Sequence, residues 1–146
     1  MANEGIHRKL AAILSADVKD YSRLLGQDEV LTIRTLKAHR EAIASFVGQY
    51  KGRVIDTPGD NVLAAFESVS GSVNCAVEIQ RELDERNAEV PSGRVMEWRI
   101  GIELGDVVEE EGKVYGDGVN IAARIEKLTD AGGIGVSGTV HDKVKN

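Results

Sequence analysis

The sequence predicts an α+β domain: a ferredoxin-like β-α-β-β-α-β core with an antiparallel-rich sheet, helices packed on one face, and extra elements after the core. Three observations lead there. "KLAAILSAD" is an apolar run ending on an acid. "RVID" and "NVLAAF" are joined by the turn residues Pro58 and Gly59, the mark of a hairpin. Two long stretches on either side of that hairpin carry apolar residues in 3- and 4-residue steps. A chain of 146 residues fits one domain with a real core.

"KLAAILSAD" reads as a buried strand, placed by this order at the sheet centre beside the hairpin. "DEVLTIRTLKAHREAIASFVGQYKG" reads as a helix with Ile33, Leu36, Arg40, Ile43 and Val47 on its inner side, Asp28 as N-cap and Gly52 at its end. Residues 68–87 form a second helix, with Val73, Ala76, Val77 and Leu83 inward. "VMEWRIGIELGDVVEE" is a strand, "EGK" a turn, and "VY" a short return strand. "GDGVNIAARIEKLTDAGG" opens a third helix, with Asp117 placed to cap it. "IGVSG" is a last short strand and "TVHDKVKN" the start of another helix.

Net charge is −6, which argues against a nucleic-acid partner because a phosphate-backbone binder presents a basic face. A single nucleotide stays open, since metal ions supply positive charge locally. Cys75, the sole cysteine, precludes an internal disulfide and reads as core. No apolar run nears the ~20 residues of a membrane span. "MANEGIHRKL" is too polar for a secretory signal, so the expected location is cytoplasmic, with no membrane contact within this chain. His7, His39 and His141 have no metal-binding spacing, and Trp98 reads as core or dimer surface.

Two constellations carry chemistry. Asp17 ends the first strand and Asp60 follows the hairpin turn, so the topology can bring them together. Adjacent carboxylates repel unless a proton or cation joins them, and Mg²⁺ commonly takes one or two carboxylates plus substrate phosphates. Taken singly, Asp17 also reads as a turn cap and Asp60 as hairpin chemistry. In "VYGDGVNIAARIEKL", Asn120 and Arg124 are four apart and share a helical face. Arginine suits a crowded phosphate and asparagine a sugar oxygen; a solvated face is the plain alternative.

Together, "ILSADVKDYSRL", "YKGRVIDTPGDNVLAAF", "WRIGIELGDVV" and "VYGDGVNIAARIEKL" resemble, in order and spacing, the signature blocks of class III nucleotidyl cyclase (adenylate/guanylate cyclase) catalytic domains. The resemblance implies an N-terminal extension at 1–7 and a catalytic domain at 8–146. It implies two Mg²⁺ (or Mn²⁺) ions held by Asp17, Asp60 and the backbone of Val18. It makes Lys19, Asp20, Tyr21 and Ser22 a phosphate loop, Asn120 the ribose-orienting residue and Arg124 the transition-state residue. The implied reaction converts a nucleoside triphosphate, ATP ahead of GTP, into its 3′,5′-cyclic monophosphate and pyrophosphate, for intracellular signalling. The implied assembly is a head-to-tail homodimer, with the aspartates from one subunit and the Asn-Arg pair from the other.

The chain departs from the family pattern at four places. Asp56 stands where the family has its adenine-recognising lysine, and Lys113 where it has an acid or polar residue. One reading has the exchanged pair meeting across the dimer interface as a working base pocket; the other has a pocket that selects nothing. Asp20 replaces the usual glycine of the phosphate loop. The chain stops at Asn146, where family domains continue into a strand pair with a basic residue for the terminal phosphates, so those strands are expected to be lacking. The alternative function is a catalytically silent cyclase-like module that binds a nucleotide or a regulatory partner.

Overall fold

β1 spans Ile6–Val18 and pairs along its whole length with β4, Trp98–Glu110, from Ile6 opposite Glu110 to Val18 opposite Trp98. These coordinates are a computed structural model describing residues 6–111 and 113–144. Residues 1–5 of the expected extension, Gly112 of the "EGK" turn and residues 145–146 lie outside them, while Ile6 and His7 already belong to β1. On its other side β1 pairs with β3, Val62–Phe66, which pairs with β2, Gly52–Asp56. The order is β2-β3-β1-β4-β5, all antiparallel, where β5 is Lys113–Tyr115. β6, Ile134–Val136, runs parallel to β4 at residues 100–102, beyond the segment that β5 occupies. The sheet curls until its edge strands β2 and β5 touch.

The helices are α1 (Tyr21–Gln27), α2 (Glu29–Gln49), α3 (Val69–Asn87), α4 (Asp117–Lys127) and α5 (Gly138–Val144). α1 has no counterpart in the sequence reading, because seven residues are too few to display a period. Asp28 caps α2, its Oδ1 accepting from the Leu31 amide at 3.0 Å. The buried stripe of α2 is Thr32, Leu36, His39, Ile43 and Val47. Ile33, expected inside, is 51% exposed. The inward places go instead to polar residues with partners: the Thr32 hydroxyl donates to the Leu24 carbonyl at 2.9 Å, and His39 Nδ1 accepts from the Trp98 indole at 3.0 Å. On α3 the inward set is Ser72, Cys75, Ala76, Ile79 and Leu83, and Val77 turns outward. α4 ends at Lys127 rather than at Gly132-Gly133, and Asp117 is its first residue, making no capping bond.

Not all helices lie on one face, as the sequence suggested. Even-numbered residues of β1, from Ala12 to Val18, pack with β3, β4, α2, α3 and α5 in the main core. Odd-numbered residues Ala11 and Ile13 pack with Val107 and Ala122 of α4 on the opposite face. The reason is legible in hindsight: every residue from Ala11 to Val18 is buried, and a strand apolar on both faces needs cover on both. Gly101 permits the approach, since a Cβ there would run into the Glu126 amide and the Ala122 carbonyl.

Candidate functional site

The hairpin tip is built to present Asp60. Gly59 takes φ +57°, which glycine adopts without strain, and the Asn61 amide closes the turn on the Pro58 carbonyl at 2.9 Å. Arg40, from the flank of α2, donates through Nη2 to the carbonyls of Gly59 and, at 3.2 Å, Asn61, bracketing Asp60 on both sides. Asp60 Oδ2 then accepts from the Val18 amide at 3.3 Å. The hairpin tip and the end of β1 therefore come together, with Asp60 bonded to the backbone of the residue that follows Asp17.

Asp17 is nearly enclosed. Arg99, directly opposite it on β4, donates through Nε to Oδ1 at 3.0 Å and through Nη2 to Oδ2 at 2.7 Å. Lys127, the last residue of α4, donates to the same Oδ2 at 2.9 Å. Behind them lies Glu126, fully buried, its Oε1 accepting from the Ser15 hydroxyl at 2.9 Å. Burial works to raise the Asp17 pKa, but the bonds from Arg99 and Lys127 outweigh it and hold the carboxyl below its usual value. Burial, reinforced by the neighbouring Asp17, pushes Glu126 up to about 7. Of the two carboxyls, Asp17 is the one that ionises first.

The donor types suit a divalent cation: two carboxylates and the Val18 carbonyl are hard oxygen ligands, and a cation at Asp17 has to share its oxygens with Arg99 and Lys127. Among the described residues no cluster of three or more His, Cys, Asp or Glu side chains is arranged to hold a metal, so such an ion would complete its shell with substrate oxygens and water.

Lys19 and Asp20 form the turn between β1 and α1, and Tyr21 and Ser22 open α1. First-turn amides of a helix have no intrahelical acceptor. Asp20 sits at φ +57°, ψ 36°, the left-handed region that glycine occupies most cheaply, and its side chain is exposed.

Asp56 and Lys113 line one open cleft of about 410 Å³ with Ile55, Leu63, Val114 and Tyr115. Both lie in one cleft of a single chain, because sheet curl brings β2 near β5, and no ion pair joins them among the described residues. The Asp56 carboxylate caps the adjacent Thr57 amide at 2.8 Å. Asn120 and Arg124 are exposed, on the side of α4 away from its buried stripe of Gly118, Ala122 and Glu126. Among the described residues neither side chain has a hydrogen-bond or ion-pair partner, so within one chain they do not join Asp17 and Asp60.

The sequence reading missed Arg99, Lys127, Glu126, Ser15 and the role of Arg40. Faint signals existed: Arg99 interrupts an apolar strand, Arg40 falls on the expected inner stripe of α2, and Glu126 continues the four-residue step from Gly118 and Ala122.

Residues 7–146 match the family model described as the adenylate and guanylate cyclase catalytic domain. The chain belongs to that family. It is 43% identical over 145 residues to a Rhizobium meliloti (strain 1021) protein named as adenylate cyclase 3, covering 99% of this chain and 25% of that relative. The chain thus spans about a quarter of that relative's length. Among solved structures, the adenylate/guanylate cyclase/hydrolase from Silicibacter pomeroyi superposes with a TM-score of 0.90 at 38% identity, covering 96% of this chain and 82% of that one. The guanylyl cyclase Cya2 superposes at 0.83 and 27% identity, covering 94% and 79%. The α+β fold with its curled, antiparallel-rich sheet is the class III cyclase fold. No described helix is long and apolar enough to cross a membrane.

Proposed function

We propose that this cyclase domain converts ATP, with GTP the lesser substrate, into its 3′,5′-cyclic monophosphate and pyrophosphate, at sites shared between two head-to-tail copies of the chain. One observation carries the reading. Asp60 bonds the amide of Val18, the residue next to Asp17, while Asn120 and Arg124 stand exposed on α4 with no partner among the described residues. Adenylate cyclase names among the relatives support ATP; the guanylyl cyclase among the structural neighbours keeps GTP in view.

Asp17, Asp60 and the Val18 carbonyl would hold two Mg²⁺ or Mn²⁺ ions. The chemistry supplied by bound metal is a lowered pKa for the 3′-hydroxyl and a hold on the leaving phosphates. The 3′-oxygen attacks the α-phosphorus and loses its proton, and the α–β bridging bond breaks to release pyrophosphate. Backbone amides of Asp20 to Ser22 would take phosphate oxygens at the start of α1, the Lys19 amide being already bonded to the Glu97 carbonyl at 2.9 Å. Asn120 would orient the ribose, and Arg124 would offset charge on the α-phosphoryl oxygens through its planar fork. In the cleft, Asp56 would accept from an exocyclic amine of the base while Lys113 donates to a ring nitrogen or carbonyl.

The test is cyclic nucleotide formation from ATP and from GTP, in Mg²⁺ and in Mn²⁺, beside an Asp60→Ala control. Product that disappears in the control is expected. No product from a folded dimer would leave the domain as a silent nucleotide-binding or regulatory module. That reading has its own support in Asp20 beside the phosphate loop and in the occupation of both Asp17 oxygens by Arg99 and Lys127.

A further inference from the structure

The two cations on Asp17 are not equivalent. Arg99 is locked in register opposite Asp17 on a neighbouring strand and binds both carboxylate oxygens. Its side chain is 20% exposed. Lys127 leaves the C-terminal end of α4, touches only Oδ2 of Asp17, and is 60% exposed along a flexible four-carbon stem. Its ammonium also lies 3.4 Å from Glu126 Oε2. Arg99 alone already gives Asp17 a bidentate partner, so Lys127 adds a second positive charge to an oxygen that holds one.

We propose that Lys127 is an internal competitor for divalent metal at Asp17. Its ammonium covers Oδ2 when no metal is bound and swings out to solvent when a cation enters. The inference rests on reading Asp17 and Asp60 as metal ligands. A cation that joins the Asp17 carboxylate beside Lys127 meets a like charge a few ångströms away and is repelled by it. Arg99 stays, because its strand pairing fixes it. Lys127 leaves, because its stem is long and its surroundings open. The consequence is a built-in threshold: the domain takes up metal only at concentrations that outcompete its own lysine, and α4, which carries Asn120 and Arg124, loses one tether to β1 as that happens.

The test measures Mn²⁺ binding to the nucleotide-free chain, by the loss of free Mn²⁺ signal in electron paramagnetic resonance. The proteins are the wild type, Lys127→Met, Lys127→Arg and Asp60→Ala. Lys127→Met keeps the length of the side chain and removes its charge. It is expected to bind Mn²⁺ about tenfold or more tightly, the scale on which one nearby charge shifts a carboxylate's ionic equilibria. Lys127→Arg is expected to restore the weak binding of the wild type. Thermal unfolding gives a second readout: without metal Lys127→Met melts lower than wild type, and Mn²⁺ raises its melting temperature by more. Binding that Asp60→Ala leaves unchanged would overturn the metal site, and this proposal with it. Binding that Asp60→Ala removes, yet is equal or weaker in Lys127→Met than in wild type, would overturn the proposal alone.

Discussion

The two faces of the central strands β1 and β4 share a backbone and differ in nearly everything else. One face carries Ala12, Leu14, Ala16 and Val18 beside Trp98, Ile100 and Ile102, under α2, α3 and α5. Its main buried polar contact is self-contained, the Trp98 indole donating to His39. The other face carries Ala11, Ile13, Ser15 and Asp17 beside Arg99 and Gly101, under α4 alone. There the charges multiply toward one end: Asp17, Arg99, Glu126 and Lys127. Because side chains alternate along a strand, one residue step separates stability from chemistry. A buried charge is tolerated only when paired, so the site face needs the bidentate Arg99 for Asp17 to exist there.

That contrast can be broken at either face. The largest loss of stability is expected from Trp98→Ala, which removes a fully buried ring and leaves His39 without its donor. The cost is about 3–5 kcal/mol, read as a drop in melting temperature. Arg124→Ala, on the exposed side of α4, is expected to leave the melting temperature nearly unchanged and to cut kcat by about 10²–10³. If the two substitutions exchanged their effects, the division of labour between the faces would be wrong.

The helix-covered face also has a pH signature. Burial, then the charge of Arg86, drives His39 from its ordinary 6.5 down to about 4. The unfolded chain takes up the proton first, so this contribution is full above about pH 6.5 and is lost as pH falls toward 4, on the order of 2–3 kcal/mol. Denaturant titrations across that window should show the slope, and His39→Gln should flatten it. Gly101→Ala probes the seam of the other face: its Cβ would push on the α4 backbone at Ala122 and Glu126. A cost of about 1–3 kcal/mol is expected, together with a fall in kcat that an equally destabilising core substitution lacks. The smallest effect is expected from Asp20→Gly. It relieves a non-glycine residue at φ +57° and removes a negative charge from the turn proposed to bind phosphate, so stability should change by less than about 1 kcal/mol while KM for the nucleotide falls.

Much of the fold was legible because periodicity and turn chemistry are local. The order of elements, the hairpin with Gly59 at its turn, and Asp28 as the cap of α2 needed no tertiary information. That the hairpin tip carrying Asp60 reaches the end of β1 followed from topology. What was not legible depends on which element covers which face. A continuous run such as "LAAILSADV" says that both faces of β1 are buried, but not that α4 is the second cover. On the α2 stripe Leu36, Ile43 and Val47 were placed correctly, while Ile33 and Arg40 stood one position off because Thr32 and His39 are polar, and their inward placement depends on acceptors and donors supplied by distant residues. Lys127 and Arg99 were invisible for the same reason: nothing within "IEKL" or "EWRIG" indicates that both reach Asp17. The family resemblance singled out Asp56 and Lys113, but their placement along one cleft of a single chain required the curl of the sheet.

The central claim is that each site draws Asp17 and Asp60 from one copy and Asn120 and Arg124 from the other. Mixing two inactive variants, Asp60→Ala and Arg124→Ala, tests it most directly. Random pairing makes half the dimers mixed, and each mixed dimer holds one intact site and one doubly damaged site. Activity should therefore return to about a quarter of the wild-type value. A mixture that stays inactive, with both variants folded and exchanging subunits, would place all four residues in one chain's site and contradict the account.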